Sequence, residues 1–126
     1  MSDITPQVPP GRQLIQSYGG GGFRITGVAY TSSVIVLPEQ TLIWQVSSFD
    51  DISAGGLAPL MTENADIEVL LIGCGPRMGM PKADIRDALK EFSIVPEWMD
   101  TGAACRTFNV LVAEERAVAA ALIAVE

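Results

Sequence analysis

Histidine is absent from the 126 residues, and cysteine occurs only twice, as Cys74 and Cys105. Without histidine, neither a Ser–His nor a Cys–His catalytic pair can form, and the usual zinc and iron ligand sets are missing. Two cysteines are too few for a disulfide framework, so we expect two reduced thiols in a reducing compartment. The composition therefore predicts a protein that is not an enzyme and has no catalytic residues, metal site or cofactor.

Positive charge and long apolar runs are also scarce. Eight basic residues stand against fifteen acidic ones, which gives a net charge of −7. A field of that sign repels phosphate backbones and anionic lipid headgroups, so we expect no nucleic-acid partner. No apolar run reaches the length of about 18 residues that a bilayer requires, so we expect no membrane span.

The N-terminal residues differ in composition from the rest of the chain. Residues 1–12 contain three prolines and one arginine, and they lack the apolar stretch of a signal peptide. We therefore expect a flexible N-terminal segment over 1–12, a single domain over 13–126 and a cytoplasmic location.

The N-terminal half of the expected domain is rich in strand-forming residues. Strands are predicted over four short stretches, residues 13–18, 23–30, 33–38 and 41–46. The first alternates weakly, and the other three are rich in β-branched and aromatic side chains. Gly27 interrupts the second stretch, and no helical pattern occurs before residue 57. This half is predicted to be a β-meander.

The C-terminal half changes to a helical period. The patterns predict a short helical turn, two helices, two strands and an ambiguous alanine-rich tail, over residues 57–64, 82–92, 103–113, 67–73, 94–99 and 117–125. Alternating strands and helices favour a partly parallel sheet covered by helices. The predicted fold class is therefore α/β, a single domain with a mixed sheet.

Two interpretations of the glycine run Gly19, Gly20, Gly21 and Gly22 are possible. A phosphate-binding loop passes from a strand into a helix, whose N-terminus favours the anion. Here the run is followed by "FRITGVAY", which is strand-like, and no Lys-Ser or Lys-Thr pair follows. We therefore predict a structural turn in which glycine supplies positive φ angles.

A second glycine-containing loop follows the most apolar predicted strand, in "LLIGCGPRMGMP" over residues 70–81. A loop from a central strand to a helix is the usual ligand-binding position in open α/β sheets. Gly73, Cys74, Gly75 and Arg77 form the candidate crevice, although the spacing does not match a dinucleotide fingerprint. A structural turn and a binding crevice both remain open at this point.

Cys105 is the one candidate for a reactive side chain. It lies early in a predicted helix with Arg106 beside it in sequence, and a helix N-terminus or a neighbouring cation lowers a thiol pKa. Cysteines beside an apolar helical face are more often packed and inert. A buried thiol and a thiol nucleophile therefore remain alternatives.

Several segments together resemble one known family. These are "YGGGGFRI", "IVLP" with a tryptophan six residues after Pro38, "EVLLIGCG" and "MDTGAACRTFNVLVAEERAVAAALI". The chain resembles the domain-of-unknown-function family that includes mitochondrial complex I assembly factor 3 and the adipogenesis-associated cytosolic protein, and it looks most like an alphaproteobacterial-type member. The resemblance covers residues 13–125.

The resemblance implies a compact three-layer α/β fold and makes the tail a strand that follows a helix ending near Ala113. It implies a non-catalytic, chaperone-like factor whose partners are respiratory complex I subunits or another assembly factor. Such a protein would be cytoplasmic and would reach the inner membrane only through a protein partner.

The resemblance also suggests an interaction surface. Arg106 and Asn109 match family positions in "ACRTFN" and, with Cys105, are the candidate interaction residues; bracing of neighbouring loops by these side chains is the alternative. Cys74 departs from the family, which more often has a small hydroxylic residue there. The leading hypothesis is a protein-binding assembly factor, with a small-molecule or anion site in the 73–80 loop as the alternative and a thiol enzyme using Cys105 as a remote one.

Overall fold

A computed structural model describes residues 10–62 and 66–126 of the chain. The predicted flexible segment 1–12 therefore lies largely outside the described residues. Eight strands and two α-helices are formed in this part of the chain: β1 Ile15–Gly19, β2 Gly22–Ile25, β3 Val28–Tyr30, β4 Val34–Val36, β5 Thr41–Ile43, β6 Val69–Gly73, α1 Ala83–Lys90, β7 Val95–Met99, α2 Thr101–Ala113 and β8 Val118–Leu122. Two short 3₁₀ segments, Phe49–Asp51 and Gly55–Leu60, connect β5 to β6.

The strands form two sheets. The larger sheet has the order β5-β4-β8-β6-β7, and the smaller has the order β1-β2-β3. β6 lies parallel to both β7 and β8, whereas β4 pairs antiparallel with β5 and β8. The mixed α/β fold predicted from the sequence is confirmed.

The large sheet is covered on both faces, which gives three layers. On one face, α2 and the small sheet bury the side chains of one core, including Phe108, Phe23 and Leu71. On the other face, α1 and the two 3₁₀ segments bury a second core, including Ile85 and Leu57. The central strands β6 and β8 therefore contribute alternate side chains to both cores.

The predicted meander is divided between the two sheets. The stretch 23–30 is a hairpin, because Thr26 and Gly27 both have positive φ angles, 47° and 82°, and form a tight turn between β2 and β3. The chain then crosses to the large sheet, where all three residues of β4 are buried. A short, continuous β-branched run is typical of a strand covered on both faces.

The C-terminal elements differ from expectation mainly at their ends. α1 is shorter than the predicted 82–92, and Phe92, expected on its buried face, is 40% exposed. The chain leaves the helix through Ser93, whose φ angle is 59°. The ambiguous tail forms β8, whose five residues are all buried; its alanines allow both covering layers to approach closely.

Candidate functional site

The carboxyl ends of the parallel strands β6, β7 and β8 lie side by side at one end of the large sheet, which we call the carboxyl edge. From this edge β6 leads to α1 on one face and β7 leads to α2 on the other. A reversal of this kind is where open α/β sheets usually leave a ligand crevice. The loop singled out from the sequence therefore lies at the expected position.

Thr101 ties the elements at this edge together. Its buried hydroxyl donates a hydrogen bond to the Ile123 carbonyl oxygen at 2.7 Å and accepts one from the Gly75 N–H at 3.0 Å. The Thr101 N–H donates to the Gly75 carbonyl oxygen at 2.8 Å. Asp100 caps α2, since its carboxylate accepts from the Ala103 N–H. The polar groups of this edge are thus paired with one another.

The side chains of the predicted crevice are mostly unavailable to a ligand. Gly73, Cys74 and Gly75 are buried, and Cys74 Sγ lies 3.5 Å from the Ile72 carbonyl oxygen as a donor. Burial raises the pKa of the Cys74 thiol. The close packing of β6 against its neighbours covers Gly73 and Cys74, which does not favour a ligand crevice lined by these two residues.

A cavity of about 450 Å³ does adjoin this edge, but Arg77 does not line it. Its walls come from the loop after β6, the start of α2, the C-terminal residues and one side chain of β1: Tyr18, Gly75, Pro76, Asp100, Gly102, Ala124, Val125 and Glu126. The two charged lining residues are acidic, so the cavity disfavours an anion. Arg77 is exposed.

The residues of α2 suggested by the "ACRTFN" match contact β1. Asn109 Nδ2 donates to the Ile15 carbonyl oxygen at 2.7 Å, and its Oδ1 accepts from the Ile15 N–H at 2.9 Å. Arg106 donates to the Tyr18 hydroxyl at 2.8 Å. Both side chains therefore brace β1 against α2, as the alternative to an interaction surface expects. Arg106 also remains exposed to solvent.

Cys105 does not lie on a surface. It is only 2% exposed and packs in the core between α2 and the sheets. Burial raises the pKa of its thiol from 9.0 to about 12, and the nearby Arg106 guanidinium offsets this rise only in part. Cys105, Arg106 and Asn109 do line one small cavity beside β1, of about 320 Å³, but the thiol contributes little exposed surface to it. The pKa shift is opposite to the one that a thiol nucleophile needs.

The four consecutive glycines form the connection between β1 and β2. Gly19, Gly20 and Gly21 have φ angles of 120°, 62° and 84°. A Cβ atom on Gly22 would overlap the Tyr30 carbonyl oxygen across the small sheet. The run connects two strands, so it does not present a helix N-terminus to a phosphate.

An apolar groove that the sequence analysis did not identify lies along β7. We call it the β7 groove; it encloses about 610 Å³ and is lined by Met78, Gly79, Pro81, Arg86, Lys90, Ile94, Val95, Pro96, Glu97 and Trp98. Met78 is 71% exposed and Val95 is 55% exposed, which is high for large apolar side chains. The two methionines of "RMGMP" were the available signal, because methionine is frequent at adaptable binding surfaces, but their exposure could not be predicted from the sequence.

The described part of the chain offers neither a metal-binding cluster nor a membrane-spanning helix. Within residues 10–62 and 66–126, no group of three or more His, Cys, Asp or Glu residues is arranged to hold a metal ion. Neither helix within those ranges has the length and apolar character needed to cross a membrane.

Comparison with known proteins places the chain among the relatives suggested by its motifs. It is 41% identical over 87% of its length to NADH dehydrogenase [ubiquinone] 1 alpha subcomplex assembly factor 3 of Danio rerio, and it spans 63% of that protein. It is 31% identical to an uncharacterized protein of Rhodobacter capsulatus, over 95% of this chain and 93% of the other.

A solved structure agrees with both the sequence relationship and the fold. The crystal structure of a Bartonella henselae protein, described as an outer membrane protein, is 41% identical and superposes with a TM-score of 0.85, covering 93% of this chain and 98% of the other. A family model for proteins of unknown function, DUF498/DUF598, matches residues 15–123. The resemblance found in the sequence is confirmed, and the chain belongs to the DUF498/DUF598 family.

Proposed function

We propose that this protein is a non-catalytic, protein-binding factor that assists the assembly of NADH dehydrogenase, respiratory complex I. The observation that carries the proposal is the 41% identity, over 87% of the chain, to a protein named as a complex I assembly factor. The chain spans about three-fifths of that relative's length, so the relative's role is extended here to the shared domain. The expected partners are complex I subunits or another assembly factor, met at the cytoplasmic side of the inner membrane.

The structure supports protein binding more than ligand chemistry. The β7 groove exposes large apolar side chains beside two cationic ones, a composition suited to a protein partner. By contrast, the cavity at the carboxyl edge has acidic walls and is not lined by Arg77, so the geometry does not favour the anion-binding alternative. The buried Cys105, with its raised pKa, does not favour a thiol enzyme.

The proposal is tested by deleting the gene and measuring assembled complex I. We expect less of the complete NADH dehydrogenase on native gels and lower NADH:ubiquinone oxidoreductase activity in isolated membranes, both restored by the wild-type gene. Activity of another respiratory complex in the same membranes is the control. A normal level of assembled complex in the deletion strain would refute the assembly role.

Physical association is measured separately. The tagged protein, expressed at its native level, is crosslinked and purified, and its partners are identified by mass spectrometry. Enrichment of NADH dehydrogenase subunits or assembly factors, relative to a tagged acidic protein of similar size, is the expected result. If the deletion affects the complex but no such partner is enriched, the effect is indirect and the protein-binding part of the proposal fails.

A further inference from the structure

The β7 groove is open because β7 is the last strand of the large sheet among the described residues. β7 pairs with β6 and with no other described strand. α1 covers the sheet over β6 and β7, and the space beside it is the groove, with Pro96 and Trp98 at its base. Among the described residues, no element therefore packs beside α1 on the side that faces away from the centre of the sheet.

The backbone of β7 is not suited to the addition of another strand. The Val95 N–H donates to the Glu68 carbonyl oxygen at 2.9 Å, which directs the backbone groups of Val95 toward β6. Because these directions alternate along a parallel strand, the backbone groups of Pro96 and Trp98 point away from the sheet. Proline has no N–H to donate, and proline on an edge is a common protection against strand pairing. An occupant of the groove must therefore bind through side chains.

The base of the groove is held in place by contacts below it. The Trp98 ring packs edge-on against the Phe49 ring, with centroids 6.0 Å apart. Lys82 Nζ lies 4.6 Å from the centre of the Phe49 ring and donates to the Phe49 carbonyl oxygen at 2.8 Å. Little side-chain ordering is then needed when a partner packs on Trp98, which lowers the cost of binding.

The outer flank of α1 gives the groove a positive wall. Arg86 and Lys90 are four residues apart, so they project one turn apart on the same flank, and both line the groove. Asp87 and Glu91 are also four residues apart, and neither lines the groove. The Asp87 carboxylate lies 3.5 Å from Arg86 Nε, an exposed pair of the kind that stabilises little and leaves the guanidinium open to a partner's carboxylate. In a chain of net charge −7, the charged groups of this surface are two cations and the Glu97 carboxylate.

We propose that the β7 groove binds an amphipathic helix of a protein partner, with its apolar face on Trp98, Pro96 and Met78 and carboxylates one turn apart facing Arg86 and Lys90. The inference rests on the proposed function in that it requires a protein partner. The helix would extend the α1 layer beyond β7. A five-residue strand is about 16 Å long, which about 11 helical residues would match.

The test uses a designed peptide of about 15 residues with leucines on one helical face and two glutamates, one turn apart, on its flank. It is titrated into the isotope-labelled full-length protein and followed by backbone amide NMR. We expect chemical-shift changes confined to the loop around Met78, to α1 and to β7, with the peptide becoming helical. No binding, or changes centred elsewhere, would overturn the proposal.

Charge exchange separates specific docking from apolar adsorption. Replacing the two peptide glutamates by lysines should weaken binding by about tenfold or more, and the R86E/K90E protein should reverse the preference. The R24E/R116E protein has the same net charge and leaves the groove intact, so it should bind like the wild type. Equal binding of both peptides by the wild type would contradict the positive wall.

A second variant keeps the test independent of α1. Met78→Glu places a carboxylate in the groove. Because Met78 is exposed, the variant should unfold at the same denaturant concentration as the wild type. Because the new carboxylate repels the peptide's glutamates and removes apolar contact, the variant should no longer bind the glutamate peptide. Self-association of the protein through these residues, seen by sedimentation without peptide, would assign the groove to a second copy instead. Charge-dependent peptide binding combined with normal complex I in the deletion strain would retain the groove and remove only the assembly role.

Discussion

The carboxyl edge of the parallel strands and the β7 groove differ in what their side chains contact. The polar groups of the carboxyl edge bond to one another, whereas apolar side chains of the groove face solvent. At the carboxyl edge, Thr101 connects Gly75 to Ile123 through hydrogen bonds inside the protein. Along the groove, Met78 and Val95 expose apolar surface to solvent. The usual ligand-binding position of an open α/β sheet is thus filled here by hydrogen bonds within the protein. The surface left for a partner lies along the outer strand, β7.

The largest effect is predicted for Thr101→Val, which keeps the side-chain shape and removes the hydroxyl. The Gly75 N–H and the Ile123 carbonyl oxygen would then be buried without a partner. Each unsatisfied group costs about 1–3 kcal/mol, so we expect the free energy of unfolding to fall by about 3 kcal/mol. Urea denaturation followed by circular dichroism measures this.

Thr107→Val is the matched control, since Thr107 lies half-buried on the same helix. The same chemical change there should alter the free energy of unfolding by no more than about 0.5 kcal/mol. Equal effects at the two positions would mean that the carboxyl edge is not held by the Thr101 hydroxyl. The Thr101 variant, where folded, should still bind the glutamate peptide.

Local patterns predicted the elements around the two regions but not the contacts between them. α1 and α2 follow from apolar residues at helical spacing, and β6 follows from a continuous apolar run. The alanine-rich β8 was ambiguous, because alanine favours a helix locally and only its burial between two layers makes it a strand. The division into two sheets likewise depends on long-range pairing, which periodicity does not encode.

The candidate residues show the same limit. Arg106 and Tyr18 are 88 positions apart, and Asn109 and Ile15 are 94 apart, so their contacts could not be read from spacing. Exposure was also inaccessible: Cys105 is buried, whereas Met78 is exposed. A helix face can be inferred from the sequence, but what packs on it depends on the rest of the fold.

An intermediate effect is predicted for Asn109→Ala. The change removes both hydrogen bonds to the Ile15 backbone, and we expect a loss of about 2 kcal/mol in the free energy of unfolding. Faster hydrogen exchange of the Ile15 amide would locate the loss at β1. Arg106→Ala, which removes an exposed contact with Tyr18, should cost about 0.5 kcal/mol.

The Asn109 variant also separates bracing from direct partner contact. If it remains as stable as the wild type yet loses crosslinked partners, Asn109 is a contact residue and the surface where α2 meets β1 takes part in binding. If it is destabilised but retains partners and the glutamate peptide, binding belongs to the β7 groove.

The last prediction concerns the pH dependence contributed by Cys105, which is absent near neutral pH and appears only above pH 9.0. Burial raises the pKa of this thiol from 9.0 to about 12, so the folded protein retains a proton that the unfolded chain loses. The resulting stabilisation is complete below pH 9.0 and is lost as the pH rises toward 12. Relative to Cys105→Ala, the wild-type free energy of unfolding should fall above pH 9.0 by up to about 1.4 kcal/mol per pH unit. Urea titrations of both proteins on either side of pH 9.0 measure this difference. Parallel pH dependences of the two free energies, or rapid alkylation of Cys105 at neutral pH, would show that the core between α2 and the sheets is more open than its contacts indicate.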